Sequence, residues 1–330
     1  MNRHLIVFDM DGVLIDVGAS YRDAVRQTAG LFFQPARESN RLPGPLFHLA
    51  DLAAVKHSGG LNNDWDLTCL VVDLLFGLVE KPPIYSHPNP WTRYRETMAH
   101  CEVTRLAEFL KATPAPLARL LEEKGRVLHP FISSLYEQDV GSGNVIKQIF
   151  QEIYLGRKLF QSTYNRAPKV WRSEGLIRHE TLLIDRRLLE RLAEKNILAI
   201  ATGRPRAEAH YALERFDLKK YFAAVYCLED CLQEEKRILK TRGEKVLLSK
   251  PHPFMLDAVA KSLADDPAGF YYIGDMPDDM LAARASRTGF KGVGLLLAAP
   301  DKEKLKKQLL QAGADFIIKD FDALEEIILN

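Results

Sequence analysis

Short apolar runs punctuate the chain at Leu5–Phe8, Ile197–Ala201, 224–227, 270–273, 292–297 and 315–318. They are rich in Val, Ile, Tyr and Phe and do not alternate with polar residues, the pattern of strands buried on both faces of a parallel sheet. Between most of them apolar residues recur at helical spacing: Leu182, Leu183, Leu188, Leu189 and Leu192 in 181–195, and Phe254, Met255, Val259 and Leu263 in 253–263. Strand–helix alternation of this kind predicts an α/β fold with a doubly wound, mostly parallel, Rossmann-like sheet.

From residue 17 to 179 the pattern changes. Helical periodicity dominates at Tyr21–Phe33, 65–79, 91–110, 117–123 and 145–159, with breaks at Leu42-Pro43-Gly44-Pro45 and from Lys81-Pro82-Pro83 through Pro90. The expected architecture is discontinuous: an α/β core from residues 1–16 and 180–330, with a helical domain, 17–179, inserted after the first strand.

Composition narrows the picture. At 330 residues the chain is long enough for about two domains. Hydrophobic residues at 47% and charged residues at 27% suit a folded protein rather than a disordered one. A formal net charge of +1 gives no global attraction to nucleic acid or an anionic membrane. The lysines of 302–307 are interrupted by Glu303 and lack interleaved aromatics, so they read as a solvated helix face. The longest apolar stretch, 67–79, is interrupted by Asp73 and falls short of a membrane span. Cys227 and Cys231 have three residues between them, not the spacing of a zinc or redox knuckle, and no signal-peptide pattern opens the chain. The expectation is a cytoplasmic protein with reduced thiols, no nucleic-acid or membrane partner, and no readable oligomeric state.

Four segments carry chemistry. Asp9-Met10-Asp11-Gly12 follows the first strand; two carboxylates two residues apart there can divide the work of nucleophile and proton shuttle, and Gly12 frees the turn. A calcium loop would want a helix before Asp9 and a further ligand position before the glycine, whereas a plain acidic turn remains open. Thr202-Gly203-Arg204-Pro205 follows the strand Ile197–Ala201 and opens a helix, as a phosphate cradle or as a simple cap. Lys250 in Ser249-Lys250-Pro251 could neutralise a phosphate and a carboxylate, or stand solvated before a proline-initiated helix. Gly274-Asp275-Met276-Pro277-Asp278-Asp279 follows another strand; three aspartates in five residues exceed what helix capping needs and suit magnesium. In open α/β sheets ligands bind at the carboxyl ends of the strands. Asp9, Thr202 and Asp275 each follow such a strand, and Lys250 follows the apolar pair Leu247-Leu248, so a fold that sets these side by side would gather all four segments in one pocket.

As a set these segments resemble the haloacid dehalogenase superfamily, in its phosphatase branch with a cap inserted after the first strand. The resemblance covers about residues 1–16 and 180–330, with Asp9-Met10-Asp11-Gly12-Val13, Thr202-Gly203-Arg204, Lys250-Pro251 and Gly274-Asp275 with Asp279 in the family's order. It implies that Asp9 attacks phosphorus and ligates Mg2+. It implies that Asp11 protonates the leaving oxygen and then activates water, its backbone carbonyl touching the metal. By the same resemblance Thr202 and the Gly203 amide hold phosphate oxygens, and Lys250 pairs with Asp9 and the phosphate. Asp275 completes the metal site, with Asp279 as a ligand or the partner of one. The implied activity is hydrolysis of a small phosphorylated metabolite, a phosphate monoester, through an aspartyl-phosphate. A phosphomutase or a non-catalytic phosphometabolite-binding protein on the same fold are the alternatives. Asp11 argues against a dehalogenase, and nothing marks Lys56 or Lys81 of the insert as the imine-forming lysine of a phosphonate-cleaving relative.

The insert is expected to act as a lid. Its Asn62-Asn63-Asp64-Trp65-Asp66 stretch could select substrate, or Asp64 or Asp66 could cap the following helix. Arg157, Lys158 and Arg166 could meet an anionic substrate or lie exposed on helices.

Overall fold

The computed structural model describes residues 3–329 apart from 57, 59–62, 81–83, 264–266 and 300. Contacts within the chain divide it into two compact units, Met1–Asp16 with Thr181–Asn330, and Val17–Glu180.

The first unit is built on a six-stranded sheet. In chain order the strands are β1 (Leu5–Phe8), β2 (Ile15–Asp16), β3 (Thr181–Leu182), β4 (Ile197–Ala201), β5 (Ala224–Tyr226), β6 (Phe270–Gly274), β7 (Lys291–Leu295) and β8 (Phe316–Ile318). The main sheet runs β5-β4-β1-β6-β7-β8, every pair parallel, while β2 and β3 form a separate antiparallel pair. All four residues of β1 and all five of β4 are buried, as strands covered on both faces must be. Each such Leu, Ile, Val or Phe contributes roughly 1.5–3 kcal/mol relative to exposure. The apolar runs are therefore the core itself: Leu5, Val7, Ile197, Ala199, Met255, Val259 and Tyr272 pack in one cluster.

Chain order reverses direction at β1. From there the strands step outward to β4 and β5, then return to β6 on the other side and continue through β7 and β8. Such a reversal leaves a crevice at the carboxyl ends of the strands. Register carries the chain ends into it: Phe8 lies opposite both Ile200 and Ile273, and the Asp9 amide donates to the Ile273 carbonyl at 2.9 Å.

Several boundaries differ from the sequence expectation. The pattern over 181–195 resolves into β3 followed by a helix, Arg186–Lys195, whose N-cap Asp185 accepts from the Arg187 amide. Leu182 pairs with Ile15 instead of joining the helix. The helix Leu228–Arg242 was not expected; only Cys231 is fully buried on it, and its few apolar positions stand among eight charged residues.

The second unit is helical, as its periodicity implies. Its longest helix, Val145–Tyr164, is kinked at Gly156. The run 91–110 is two helices, Pro90–His100 and Thr104–Ala112, parted at Cys101, which is extended. Asn63, not Asp64 or Asp66, caps the helix Asp64–Phe76, accepting from the Asp66 amide at 2.8 Å. Lys56 pairs with Asp64 at 3.0 Å, and Arg166 donates to the Gly141 carbonyl at 3.0 Å. Gly59, Gly60, Leu61, Asn62 and Lys81 lie outside the described residues. Glu152, fully buried, accepts from the amides of Lys169, Val170 and Trp171 and from Gln148 Nε2, which ties the returning chain to the long helix. No helix among the described residues is long and apolar enough to cross a membrane.

Candidate active site

β1 delivers Asp9 into the crevice with 5% of its surface exposed. The chain turns at once: Gly12 donates to the Ile15 carbonyl at 2.8 Å, and the Leu14 and Ile15 amides both donate to the Met10 carbonyl. Gly12 has φ +75°, and a Cβ on it would stand 2.1 Å from Asp275 Oδ2. No side chain fits there, so the turn brings its backbone against the acidic loop only because residue 12 is glycine. Gly274 plays the same part at the end of β6, where a Cβ would lie 2.3 Å from Asp279 Cβ.

Lys250 reaches this point from the segment before the helix Phe254–Ser262. Its Nζ lies 3.0 Å from Asp9 Oδ1, and it donates to Asp279 Oδ1 at 2.7 Å and to Tyr272 Oη at 3.2 Å. The Tyr272 hydroxyl in turn lies 3.0 Å from Asp279 Oδ1 and 3.2 Å from the Ala201 carbonyl. Asp279 is fully buried and its other oxygen accepts from the Met276 amide at 2.9 Å. Lys250, Tyr272 and Asp279 satisfy one another by hydrogen bonds, while Asp9 Oδ1 has the Lys250 ion pair and no hydrogen bond among the described residues, so its charge still calls for a further positive partner.

The electrostatics follow from that burial. Desolvation pushes the Asp9 carboxyl up to about 7; Lys250 pulls it down, and Asp279 and Asp11 push it further up. Burial pulls the Lys250 ammonium down, but Asp279 and Asp9 outweigh it and hold the group protonated, well above the ordinary lysine value. Burial and Asp279 likewise hold the Tyr272 hydroxyl far above the ordinary tyrosine value.

Asp9, Asp275 and Asp279 each offer a carboxylate oxygen, and these atoms lie within 4.8 Å of one another. The donor set is all hard oxygen, the kind that suits Mg2+ rather than a thiolate-seeking metal. Asp11 is not in this group. Its carboxylate instead accepts a hydrogen bond from the Nε of Arg204.

Thr202, 1% exposed, ends β4; its Oγ1 accepts from the Arg204 amide at 3.2 Å. Gly203 is exposed and has nothing within 4 Å of where a Cβ would stand, so the loop opens onto free space at this residue. The structure thus gathers Asp9, Lys250, Asp275 and Asp279 directly, with Thr202 and Gly203 at the end of the neighbouring strand β4 and Asp11 on the turn after β1. Tyr272 and Arg204 were assigned no role from sequence. A tyrosine inside an otherwise apolar buried strand was the available signal for the first, because its hydroxyl needs a partner. For Arg204 the signal was only its place in the loop.

Residues 178–293 match the sequence profile of a family described as haloacid dehalogenase-like hydrolase. That segment carries Thr202, Gly203, Lys250, Asp275 and Asp279. A curated relative named imidazoleglycerol-phosphate dehydratase, from Phytophthora nicotianae, is 25% identical over 324 residues, covering 95% of this chain and 49% of its own length. The chain therefore spans about half of the curated relative it matches. Among solved structures, a structural-genomics target superposes with a TM-score of 0.65 at 20% identity, over 99% of this chain and 98% of the other. Phosphatase Tt82 from Thermococcus thioreducens gives a TM-score of 0.50 at 22% identity, over 93% and 99%. At such identities the likeness speaks for the fold. The profile match adds that residues 178–293, with Thr202, Lys250, Asp275 and Asp279, are similar to haloacid dehalogenase-like hydrolases.

Proposed function

We propose that the protein is a Mg2+-dependent phosphohydrolase that cleaves a small phosphate monoester through an aspartyl-phosphate on Asp9. The observation that carries this reading is the buried Asp9–Lys250–Asp279 network with Asp275 alongside, at the carboxyl end of the central strand. Units 1–16 with 180–330 are then the catalytic core, and 17–179 a helical cap.

In this reading Asp9 attacks phosphorus as a carboxylate. Like-charge repulsion opposes an anion approaching a phosphate, and Lys250, protonated next to it, offsets that repulsion without moving. Asp275 and Asp9 would hold Mg2+, with Asp279 beside them and the Asp11 carbonyl contributing. When bound, the ion supplies charge stabilisation at the phosphoryl oxygens. Thr202 Oγ1 has its acceptor role filled by the Arg204 amide, which leaves its proton for a phosphate oxygen, and the Gly203 amide stands beside it. Asp11 gives its proton to the departing oxygen, then takes one from the water that cleaves the aspartyl-phosphate.

The test is phosphate release with Mg2+ from a panel of phosphorylated metabolites. Imidazole-bearing esters belong in the panel because the curated relative is named for one. Release by the wild type, lost with EDTA and lowered at least ~10³-fold in Asp9→Asn, is the expected result. Phosphate passed to a second sugar phosphate instead of water would make the enzyme a mutase. Tight binding of an ester with no turnover and no trapped aspartyl-phosphate would make it a binding protein.

A further inference from the structure

Arg204 is a charged side chain with none of its surface exposed. Arginine is almost never fully buried unless paired, and its guanidinium is charged at any working pH. Here its Nε donates to Asp11 Oδ1. The backbone of the same residue is held on two sides. Its amide donates to Thr202 Oγ1 at 3.2 Å, and its carbonyl accepts from the Leu228 amide at 3.0 Å, which fastens the loop to the segment after β5. Arg206, two residues on, adds a 2.6 Å bond to Asp230 in the same segment. Arg204 thus links the loop after β4 to the turn after β1. It does so through the one acidic side chain of that turn left out of the Asp9–Asp275–Asp279 group.

We infer that Arg204 is the positioning residue for Asp11: it fixes one carboxylate oxygen so that the other is presented as the proton-carrying atom. The inference rests on the reading of Asp11 as the group that moves the proton. The step balances as follows. An Asp9 oxygen bonds to phosphorus as the bond from phosphorus to the leaving oxygen breaks, and the Asp11 proton passes to that oxygen, which departs as an alcohol. Asp11, now a carboxylate, removes a proton from water whose oxygen bonds to phosphorus. Phosphate leaves, Asp9 returns as a carboxylate, and Asp11 is again the acid. Proton transfer needs donor and acceptor within hydrogen-bond reach. A short aspartate on a turn has free rotamers unless something holds it, and a planar guanidinium holds one oxygen in a fixed direction where an ammonium does not.

Leaving-group chemistry separates positioning of a proton donor from general support of the fold. A 4-nitrophenolate departs without being protonated, whereas a benzyl alkoxide does not. The experiment compares kcat and KM for 4-nitrophenyl phosphate and benzyl phosphate in the wild type, Asp11→Asn, Arg204→Gln and Arg204→Lys. Arg204→Gln is expected to lose ~10²-fold more kcat on benzyl phosphate than on 4-nitrophenyl phosphate, within the range assigned to general acid catalysis, with KM little changed. Arg204→Lys keeps a buried cation, so it serves if the glutamine variant does not fold, and it should show the same split. Equal losses on the two esters, or a loss confined to KM, would overturn the inference if Asp11→Asn still shows the split. If Asp11→Asn loses equally on both esters, the reading of Asp11 fails first. Turnover of neither ester by the wild type counts against both.

Discussion

Gly12 is the residue at which the site is most exposed to a single change. It combines a positive φ with a 2.1 Å approach of the missing Cβ to Asp275 Oδ2. Gly12→Ala strains the turn and drives the acidic loop away from Asp9, in a place where a displacement of about 1 Å costs on the order of 10²-fold in rate. Such a loss in kcat is expected with a far-ultraviolet circular dichroism spectrum that matches the wild type; retained activity would mean that the turn and the acidic loop shift without consequence. At this scale the candidate chemistry was partly legible. Aspartates and a glycine at a strand end announce a turn that bears charge, because few residue types tolerate that geometry. Arg204 could not be read in the same way, since its partner Asp11 lies 193 positions earlier. Tyr272 similarly gains its meaning from Lys250, which only the sheet brings near.

Among the elements, strands were easier to read than helices. A strand buried on both faces needs an unbroken apolar run, and β1, β4 and β6 supply it. A helix that lies on the surface needs little. Leu228–Arg242 fully buries a single cysteine and is dominated by charged residues, and β2 and β3, at two residues each, are too short to leave a periodic trace. The helix Asp64–Phe76 makes a prediction of its own. Asp73 is buried on it and accepts from the His129 amide at 2.7 Å. Burial pushes its carboxyl above the ordinary value, with the His129 amide and Lys124 pulling back. A carboxyl raised on folding binds its proton more tightly in the folded state. Stability from it is therefore present below the unfolded value, near 4, and is lost as pH rises toward the folded value. Asp73→Asn keeps the acceptor and removes the titration. The melting temperature of the variant minus that of the wild type should grow as the pH rises above about 4. A gap that stays level across that range would show that Asp73 carries its charge at no cost.

For the whole molecule, two compact units mean that thermal unfolding is not expected to be a single two-state event. A ligand that binds only the folded α/β unit should raise only that unit's transition. Mg2+ at a hundred times its dissociation constant adds about 2.7 kcal/mol. For a unit of this size that is a shift of roughly 5–10 °C. Asp275→Asn should abolish the shift while leaving the other transition in place, and calorimetry with and without EDTA measures it. A shift that persists in Asp275→Asn would place the ion elsewhere. The doubly wound character of the sheet was legible because strand and helix patterns alternate from residue 181 on. The β5-β4-β1-β6-β7-β8 order was not, since nothing in a run of apolar residues states its neighbours.

The place of β1 in that order has a consequence for how the protein is made. It leaves the ribosome well before its neighbours, yet it sits between β4 and β6, which begin at Ile197 and Phe270. At ~5–20 residues per second, the nascent chain waits on the order of ten to fifty seconds before both neighbours exist. Through that interval Leu5–Phe8 is an apolar segment without its sheet partners, while the helices of 17–180, a compact unit of their own, can already condense. The strand that bears Asp9 is thus both the keystone of the sheet and the part of the newborn chain most in need of shielding.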